Sequence, residues 1–333
     1  MSMKKSFKAM IVEESPKGEF QRSIGEKTID ALPEGEVLIK VHYSSLNYKD
    51  ALSATGNKGV TKSYPHTPGV DAVGTVETCT KGNFQPGDAV IATGYDLGMN
   101  TSGGFAEYIR VPADWVVGLP KELSMKACMS FGTAGLTAAI SVYRLQEAGL
   151  KPKDGEILVT GATGGVGSLA VAILAKEGYS VVAATGKASE HEFLKSLGAS
   201  RILDRSEVTD SSKRPLLKGL WAGAIDTVGG EVLTTTIRST KQTGTVTCCG
   251  NVASPNISLT VYPFILRGVR LQGIDAASTP LALREKMWQK LAKDWQFPQL
   301  EKMVTEITLD ELSEQIDLIL QAKIRGRVLV KIA

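Results

Sequence analysis

The chain has 333 residues, of which 43% are hydrophobic, so it is long enough for two domains with separate cores. Its 38 lysines and arginines against 35 aspartates and glutamates give a net charge of +3, and the composition argues against disorder and against a nucleic-acid-binding stripe. No segment approaches about 18 uninterrupted apolar residues, and residues 1–8 lack an apolar signal core, so we expect a cytoplasmic protein.

The first part of the chain is predicted to be a β-rich domain. Residues 35–120 are rich in β-branched residues and are punctuated by glycine and proline, with strand-like stretches at 37–41, 74–77 and 86–92.

The four cysteines have no paired metal spacing, and Cys248 and Cys249 lie in a later apolar strand pattern that favours buried reduced thiols.

After Lys121 the pattern changes to an alanine-rich helix and then to strands that alternate with helices. Such alternation predicts a parallel sheet covered by helices on both faces. From about Trp295 a helical pattern at 309–320 leads to a last strand at 327–332, which we expect to return to the first domain. The strands of the alternating region are predicted at 156–160, 180–185, 201–204, 221–226, 244–249 and 269–273.

Residues 160–167, Thr-Gly-Ala-Thr-Gly-Gly-Val-Gly, form the strongest single motif. They follow a strand-like stretch and precede the apolar helical pattern at 169–176. Glycine lets the backbone turn sharply beside a pyrophosphate, and the helix N-terminus behind it favours an anion. The motif predicts a dinucleotide-binding turn; the alternative is a tight strand-to-helix turn that binds no ligand.

The segments at 45–50, 68–71, 103–108 and 132–138 have sequences that resemble the zinc-free quinone-oxidoreductase branch of the medium-chain dehydrogenase/reductase superfamily. The resemblance implies an α/β protein with a GroES-like β-rich catalytic domain (1–127 and 295–333) and a Rossmann doubly wound parallel-sheet domain that binds NADP (128–294). It also implies a homodimer that pairs through the sheet edge at about 269–273. More narrowly, the segments at 47–50, 221–229 and 263–273 resemble the YhdH/YhfP group of this branch, which includes acryloyl-CoA reductases.

The residue types at the metal positions predict that no zinc binds. Zinc alcohol dehydrogenases of this superfamily have Cys and His where this chain has Asn47 and Tyr48, and a second His where it has Val70. Residues 96–102 also lack the cysteines of a structural zinc lobe. Without a Lewis acid, we expect a substrate that carries its own electron sink.

The turn after the second strand of the alternating region favours NADPH over NADH. A NAD-preferring fold usually has Asp or Glu there, whereas this chain has Thr185, Gly186 and Lys187. Lys187 attracts a 2′-phosphate and Thr185 can donate a hydrogen bond to it, although a solvated surface lysine is the alternative. Arg205 follows the third strand at its carboxyl end and is the better placed arginine, so Arg201 is predicted to be structural.

The predicted cofactor site has further members. Thr163, Gly164, Gly165 and Val166 belong to the glycine turn. By resemblance, the remaining residues that line the dinucleotide cleft are Tyr48, Thr137, Asn251, Ile265 and Arg327, each with ordinary packing as the alternative.

We predict hydride transfer from NADPH to the β-carbon of an α,β-unsaturated carbonyl, followed by protonation of the enolate at the α-carbon. Tyr48 is the predicted catalytic residue, because its hydroxyl can donate to an oxyanion or relay a proton; a packed aromatic ring is the alternative. Asn47 either binds a substrate oxygen or forms a turn. An enoyl-CoA, an enone and a quinone all stay open as substrates.

The proton donor also stays open. Mitochondrial enoyl reductases of the superfamily have a proposed donor tyrosine in an Asn-Tyr-Gly phrase, where this chain has Asn57-Lys58-Gly59. Water, Tyr48 and Lys58 are the alternatives.

Two other functions compete with a reductase of this superfamily: an NADPH-binding protein without catalysis, and a short-chain dehydrogenase. The mid-chain position of the glycine turn and the absence of a Tyr-x-x-x-Lys pair disfavour the short-chain dehydrogenase.

Overall fold

The computed structural model describes residues 5–333, which form two compact units. The first unit contains the chain up to Thr133 with Ala277–Lys293 and Leu300–Ala333, and the second contains Ala134–Ala276 and Asp294–Gln299. The domain boundaries at 127/128 and 294/295 stay predictions, and residues 1–4 of the predicted first domain lie outside the described residues. No helix within residues 5–333 is both long and apolar enough to cross a membrane.

The first unit begins with seven strands and a short helix: β1 (Ser6–Glu14), β2 (Phe20–Thr28), β3 (Val37–Leu46), α1 (Tyr48–Ala54), β4 (Asp71–Cys79), β5 (Ala89–Thr93), β6 (Tyr108–Val111) and β7 (Val116–Gly118). Alternate side chains of β3 point to opposite faces, as the strand period of two requires. Val37, Ile39 and Val41 pack with β4 and β5, whereas Leu38 packs with Phe7 of β1. The central strand is therefore buried on both sides.

A long helix, α2 (Met125–Glu147), contains the boundary between the units. Gly132 interrupts it with φ +52° and ψ −156°. A methyl group added to Gly132 would lie 2.4 Å from the Ser45 hydroxyl oxygen and 2.6 Å from an Asp71 carboxylate oxygen. Both the backbone conformation and the close contacts therefore require glycine at this kink.

The second unit is a doubly wound parallel sheet. Its elements are β8 (Ile157–Val159), α3 (Gly165–Lys176), β9 (Val181–Thr185), α4 (His191–Ser196), β10 (Arg201–Asp204), β11 (Trp221–Asp226), α5 (Gly230–Arg238), β12 (Thr240–Cys248), α6 (Tyr262–Arg267) and β13 (Arg270–Gly273). The six strands match the six predicted ones, all pair in parallel, and their order is β10-β9-β8-β11-β12-β13. The order reverses between β8 and β11, where such sheets bind ligands.

The chain then returns to the first unit through α7 (Leu281–Ala292), β14 (Val304–Thr308), α8 (Leu312–Leu320) and β15 (Arg327–Lys331). β15 pairs antiparallel with β3, with Val328 opposite Leu46, so the predicted return of the last strand is confirmed. The resulting sheet has the order β14-β15-β3-β4-β5-β7, with β6 also paired to β3. Leu312 and Ile316, one helical turn apart on α8, pack into the same core as Val328.

Candidate functional site

The glycine-rich turn joins β8 to α3 at the carboxyl end of the parallel sheet. Gly161 has φ +59°, and a methyl group added to it would lie 2.3 Å from the Thr227 hydroxyl oxygen. A methyl group added to Gly167 would lie 2.3 Å from the Gly161 carbonyl oxygen, so α3 packs directly against the turn. The helix begins at Gly165, which gives the turn free N–H groups and the positive end of the helix dipole. The turn therefore fits a dinucleotide pyrophosphate.

The turn after β9 brings five of the predicted cofactor residues together. The buried Thr185 hydroxyl accepts a hydrogen bond from the Lys187 backbone N–H (3.1 Å) and lies 3.5 Å from the Thr163 hydroxyl. The Arg205 guanidinium lies beside Gly186, where an added methyl group would be 3.4 Å from it. Partial burial lowers the pKa of Lys187. The cationic side chains of Lys187 and Arg205 suit a 2′-phosphate, and none of residues 185–187 is an Asp or Glu that would repel it.

Arg201, at the other end of β10, has a different environment. Its guanidinium pairs with Glu156 at 2.8 Å and lies over the Trp221 ring. A guanidinium with a carboxylate partner and a ring contact suits the structural role predicted for it.

The remaining predicted cofactor residues lie on separate elements of the structure. Thr137 is buried in α2, where its carbonyl accepts a hydrogen bond from Ser141. Asn251 is exposed after β12, and Ile265 on α6 is 67% exposed. These three belong to the second unit, whereas Tyr48 belongs to the first, so their assignment to the cofactor stays a prediction.

A buried polar cluster around Asp71 lies next to the start of α1, and the sequence analysis missed it. One Asp71 carboxylate oxygen accepts hydrogen bonds from the Ser45 hydroxyl (2.5 Å) and the Asn47 side-chain amide (2.8 Å). The other accepts from the Thr133 hydroxyl (2.6 Å), and the Thr133 backbone N–H also donates to this carboxylate. Asp71 thereby ties the end of β3 to Thr133, directly after the kink at Gly132.

Arg327 belongs to the same cluster. Its guanidinium donates to the Asn47 side-chain oxygen (3.2 Å), to the Ser45 hydroxyl (2.7 Å) and to the carbonyl oxygens of Leu46 and Ser130. The side chain is 3% exposed and lies 4.0 Å from Asp71. Arg327 as a cofactor contact stays a prediction. Because Asp71 and Arg327 hold both ends of the Asn47 amide, the geometry favours the structural alternative for Asn47.

Asp50 caps the helix that begins with Tyr48. Its carboxylate accepts hydrogen bonds from the backbone N–H groups of Asn47 and Val70, each at 2.8 Å. Complete burial, and then the nearby Asp71 carboxylate, raise the pKa of Asp50 to about 7, while these hydrogen bonds act in the opposite direction. The Asn47-x-x-Asp50 spacing is a capping-box signal that the sequence analysis overlooked. The box fixes the half-buried Tyr48 in the first turn of α1.

Lys58 is engaged in a surface interaction. Its ammonium lies 2.5 Å from a Glu14 carboxylate oxygen and 4.7 Å from the centre of the Tyr64 ring, and its side chain is half exposed. This environment favours the exposed loop lysine over the proton donor. Among residues 5–333, no group of three or more His, Cys, Asp and Glu side chains is arranged to hold a metal ion.

Two known domain families match most of the chain. Residues 33–121 match the alcohol dehydrogenase GroES-like domain family, and residues 165–293 match the zinc-binding dehydrogenase family. Both agree with the predicted pairing of a GroES-like domain with a Rossmann domain, which is thereby confirmed.

Individual relatives are similar over nearly the full length. The probable acrylyl-CoA reductase AcuI of Escherichia coli K12 is 48% identical over 90% of this chain and 92% of its own. The crystal structure of the yhdH oxidoreductase of Salmonella enterica with NADP has a TM-score of 0.95 and 46% identity, and covers 98% of this chain and 100% of its own. That of Bacillus subtilis yhfP with NAD bound has a TM-score of 0.95 and 43% identity, over 98% and 99%. This last protein is named a putative quinone oxidoreductase.

We expect the Asp50→Asn variant to lose part of the pH dependence of stability. A carboxyl group with a raised pKa stabilises the fold through its protonated form, so this contribution is present below its ordinary value of 3.8 and is lost as the pH rises through about 7. In the wild-type protein the urea midpoint should therefore fall between about pH 4.5 and about pH 8 by more than in Asp50→Asn. The exposed Asp310→Asn variant serves as the control and should follow the wild type. Equal slopes for Asp50→Asn and wild type would contradict this account.

Proposed function

Because the chain belongs to the medium-chain dehydrogenase/reductase superfamily, in the group that contains AcuI and YhfP, we propose that it is an NADPH-dependent reductase of activated carbon–carbon double bonds. The observation that carries the proposal is the glycine turn at the switch point together with Lys187 and Arg205 beside Gly186. The acrylyl-CoA reductase name of one relative supports an enoyl thioester as substrate, and the quinone oxidoreductase name of another supports an enone or a quinone.

The residues of the second unit would hold the cofactor. When bound, NADPH supplies a hydride for the β-carbon of the substrate. The backbone N–H groups of Gly165 and Val166, in the first turn of α3, are the donors for the pyrophosphate, and Thr163 and Gly164 form the turn directly before them. Lys187 and Arg205 attract the 2′-phosphate, and the chain has no acidic side chain in the Thr185–Lys187 turn that would repel it.

Tyr48 acts on the substrate side. As negative charge develops on the carbonyl oxygen, the Tyr48 hydroxyl donates a hydrogen bond to it or relays a proton to the α-carbon. The capping box of Asn47 and Asp50 holds this tyrosine in the first turn of α1. No zinc takes part, because Asn47, Tyr48 and Val70 stand where zinc alcohol dehydrogenases of the superfamily have metal ligands. The carbonyl of the substrate is the electron sink instead.

A homodimer and a cytoplasmic location complete the proposal. β13 is an edge strand of the parallel sheet, and most of its residues are exposed. Val261 and Leu266, 62% and 57% exposed, lie shortly before it in the chain. An unpaired strand edge near exposed apolar side chains suits pairing with a second copy.

The function is tested with a kinetic panel on the wild type and Tyr48→Phe. We expect the wild type to oxidise NADPH with at least one of acryloyl-CoA, crotonyl-CoA, a simple quinone and an enal, and to use NADH less well. For the preferred substrate, Tyr48→Phe should lower kcat at least about tenfold and leave NADPH affinity intact, because a donor to the reacting oxygen is lost. Tight NADPH binding without turnover of any substrate would instead favour a binding protein, and an unchanged kcat would reduce Tyr48 to packing.

Replacing Lys187 tests the choice of cofactor. Lys187→Ala should weaken NADPH binding by about 1.5–3 kcal/mol, roughly 10- to 100-fold, and leave NADH binding nearly unchanged, because only NADPH has the 2′-phosphate. Arg201→Ala removes a cation paired with Glu156 and is the control that should affect neither cofactor selectively. An equal loss for both cofactors in Lys187→Ala would refute the phosphate contact.

Light scattering tests the dimer. The wild type should have twice the 35.5 kDa mass of one chain, and the Val261→Lys/Leu266→Lys double variant should shift towards the monomer, because buried charges would oppose association. The exposed Asp310→Lys variant should stay dimeric. A monomeric wild type would overturn the proposal.

A further inference from the structure

Asp226, the last residue of β11, is a buried carboxylate that the proposed mechanism does not use. It is 0% exposed. One of its oxygens accepts a hydrogen bond from the Thr160 hydroxyl (2.7 Å), and the other accepts from the backbone N–H groups of Gly229 (2.7 Å) and Val228 (3.2 Å). All three of these hydrogen-bond donors are uncharged groups.

A buried carboxylate without a cation is costly, so its hydrogen bonds must offset the loss of water. Burial raises the pKa of Asp226, while the bonds from Thr160, Gly229 and Val228 lower it. Each of these donors belongs to a segment that leaves the carboxyl end of the sheet. The carboxylate therefore ties two loops together at the position where the strand order reverses.

A continuous path leads from this carboxylate to the glycine turn. The Thr160 hydroxyl donates to Asp226 and accepts from the Thr227 backbone N–H (3.1 Å), and the Thr227 hydroxyl donates to the Thr160 carbonyl oxygen (2.9 Å). The Thr227 hydroxyl also fills the space beside Gly161, where an added methyl group would be 2.3 Å away. The Gly161 carbonyl oxygen in turn accepts a hydrogen bond from the Gly164 N–H (3.0 Å), directly before α3.

We propose that Asp226 is a positioning residue for the cofactor: acting through Thr160 and Thr227, it fixes the backbone of the glycine turn and so controls NADPH affinity without contacting NADPH. The identity of the ligand rests on the proposed function, whereas the path from Asp226 to Gly164 consists only of contacts within the second unit. Preorganised N–H groups bind an anion better because less conformational freedom is lost on binding.

A double-mutant cycle tests the path. Asp226→Asn and Thr160→Val should each raise the NADPH dissociation constant about tenfold, and the double variant should bind no more weakly than the weaker single variant, since each change breaks the same path. In the cofactor-free protein, the backbone amides of residues 161–167 should exchange hydrogen about tenfold faster in all three variants. Thr160→Ser keeps the hydroxyl and should restore both quantities to within about twofold.

Thr247→Val is the matched control. Thr247 is also fully buried in this sheet, but its hydroxyl donates to the Ala224 carbonyl oxygen (3.3 Å), within the strands and away from the glycine turn, so binding and exchange should stay as in the wild type. Additive losses in the cycle, or unchanged amide exchange, would overturn the positioning role. If the wild type did not bind NADPH, the proposed function would fail, and the exchange rates of the cycle alone would decide for or against the path.

Discussion

The carboxyl edge of the six-stranded parallel sheet is the constraint on which the rest of the site depends. Every strand must end there, and the polar groups of the chain must stay paired while the chain turns. Glycine is required at position 161, because the backbone there has φ +59° and any side chain would collide with the Thr227 hydroxyl. Asp226 satisfies polar groups at this edge, because it accepts hydrogen bonds from the segments that follow β8 and β11. What remains unpaired, the first N–H groups of α3, is what an anionic cofactor needs.

The first unit also has buried carboxylates that accept hydrogen bonds from several segments, but there a cation accompanies them. Asp71 and Asp50 are both fully buried, and Arg327 is the cation that accompanies them in the cluster. Burial is the main cause that raises the pKa of Asp50 to about 7, and repulsion from the nearby Asp71 carboxylate adds to it. The cluster fixes the end of β3, the first turn of α1 and the kink at Gly132 relative to one another.

The parts of the molecule that sequence predicts well are those coded by neighbouring residues. The six strands of the second unit have local apolar patterns, and the glycine turn lies between a strand and a helix, so both could be recognised from short windows. The contact between Arg327 and Ser45 joins residues 282 positions apart, and no local pattern reveals it. The predicted cofactor role of Arg327 came from resemblance alone, whereas the side chain is engaged in a buried network. Asp50 differs from the other members of the cluster, because its capping box with Asn47 is a local pattern that the sequence could have revealed.

The Asp71 cluster also bears on why the proposed reductase, if it binds no metal, needs an activated alkene. In this chain the side chain of Asn47 is held at both ends, by Asp71 at its nitrogen and by Arg327 at its oxygen. Breaking either bond to bind a substrate would leave a buried charged group poorly paired, which is costly. Asn47 therefore cannot readily replace the electrophilic role of a metal. The negative charge that follows hydride addition must spread into the substrate's own carbonyl, with the Tyr48 hydroxyl as the proposed donor, and this requirement selects α,β-unsaturated carbonyls and quinones over simple alcohols.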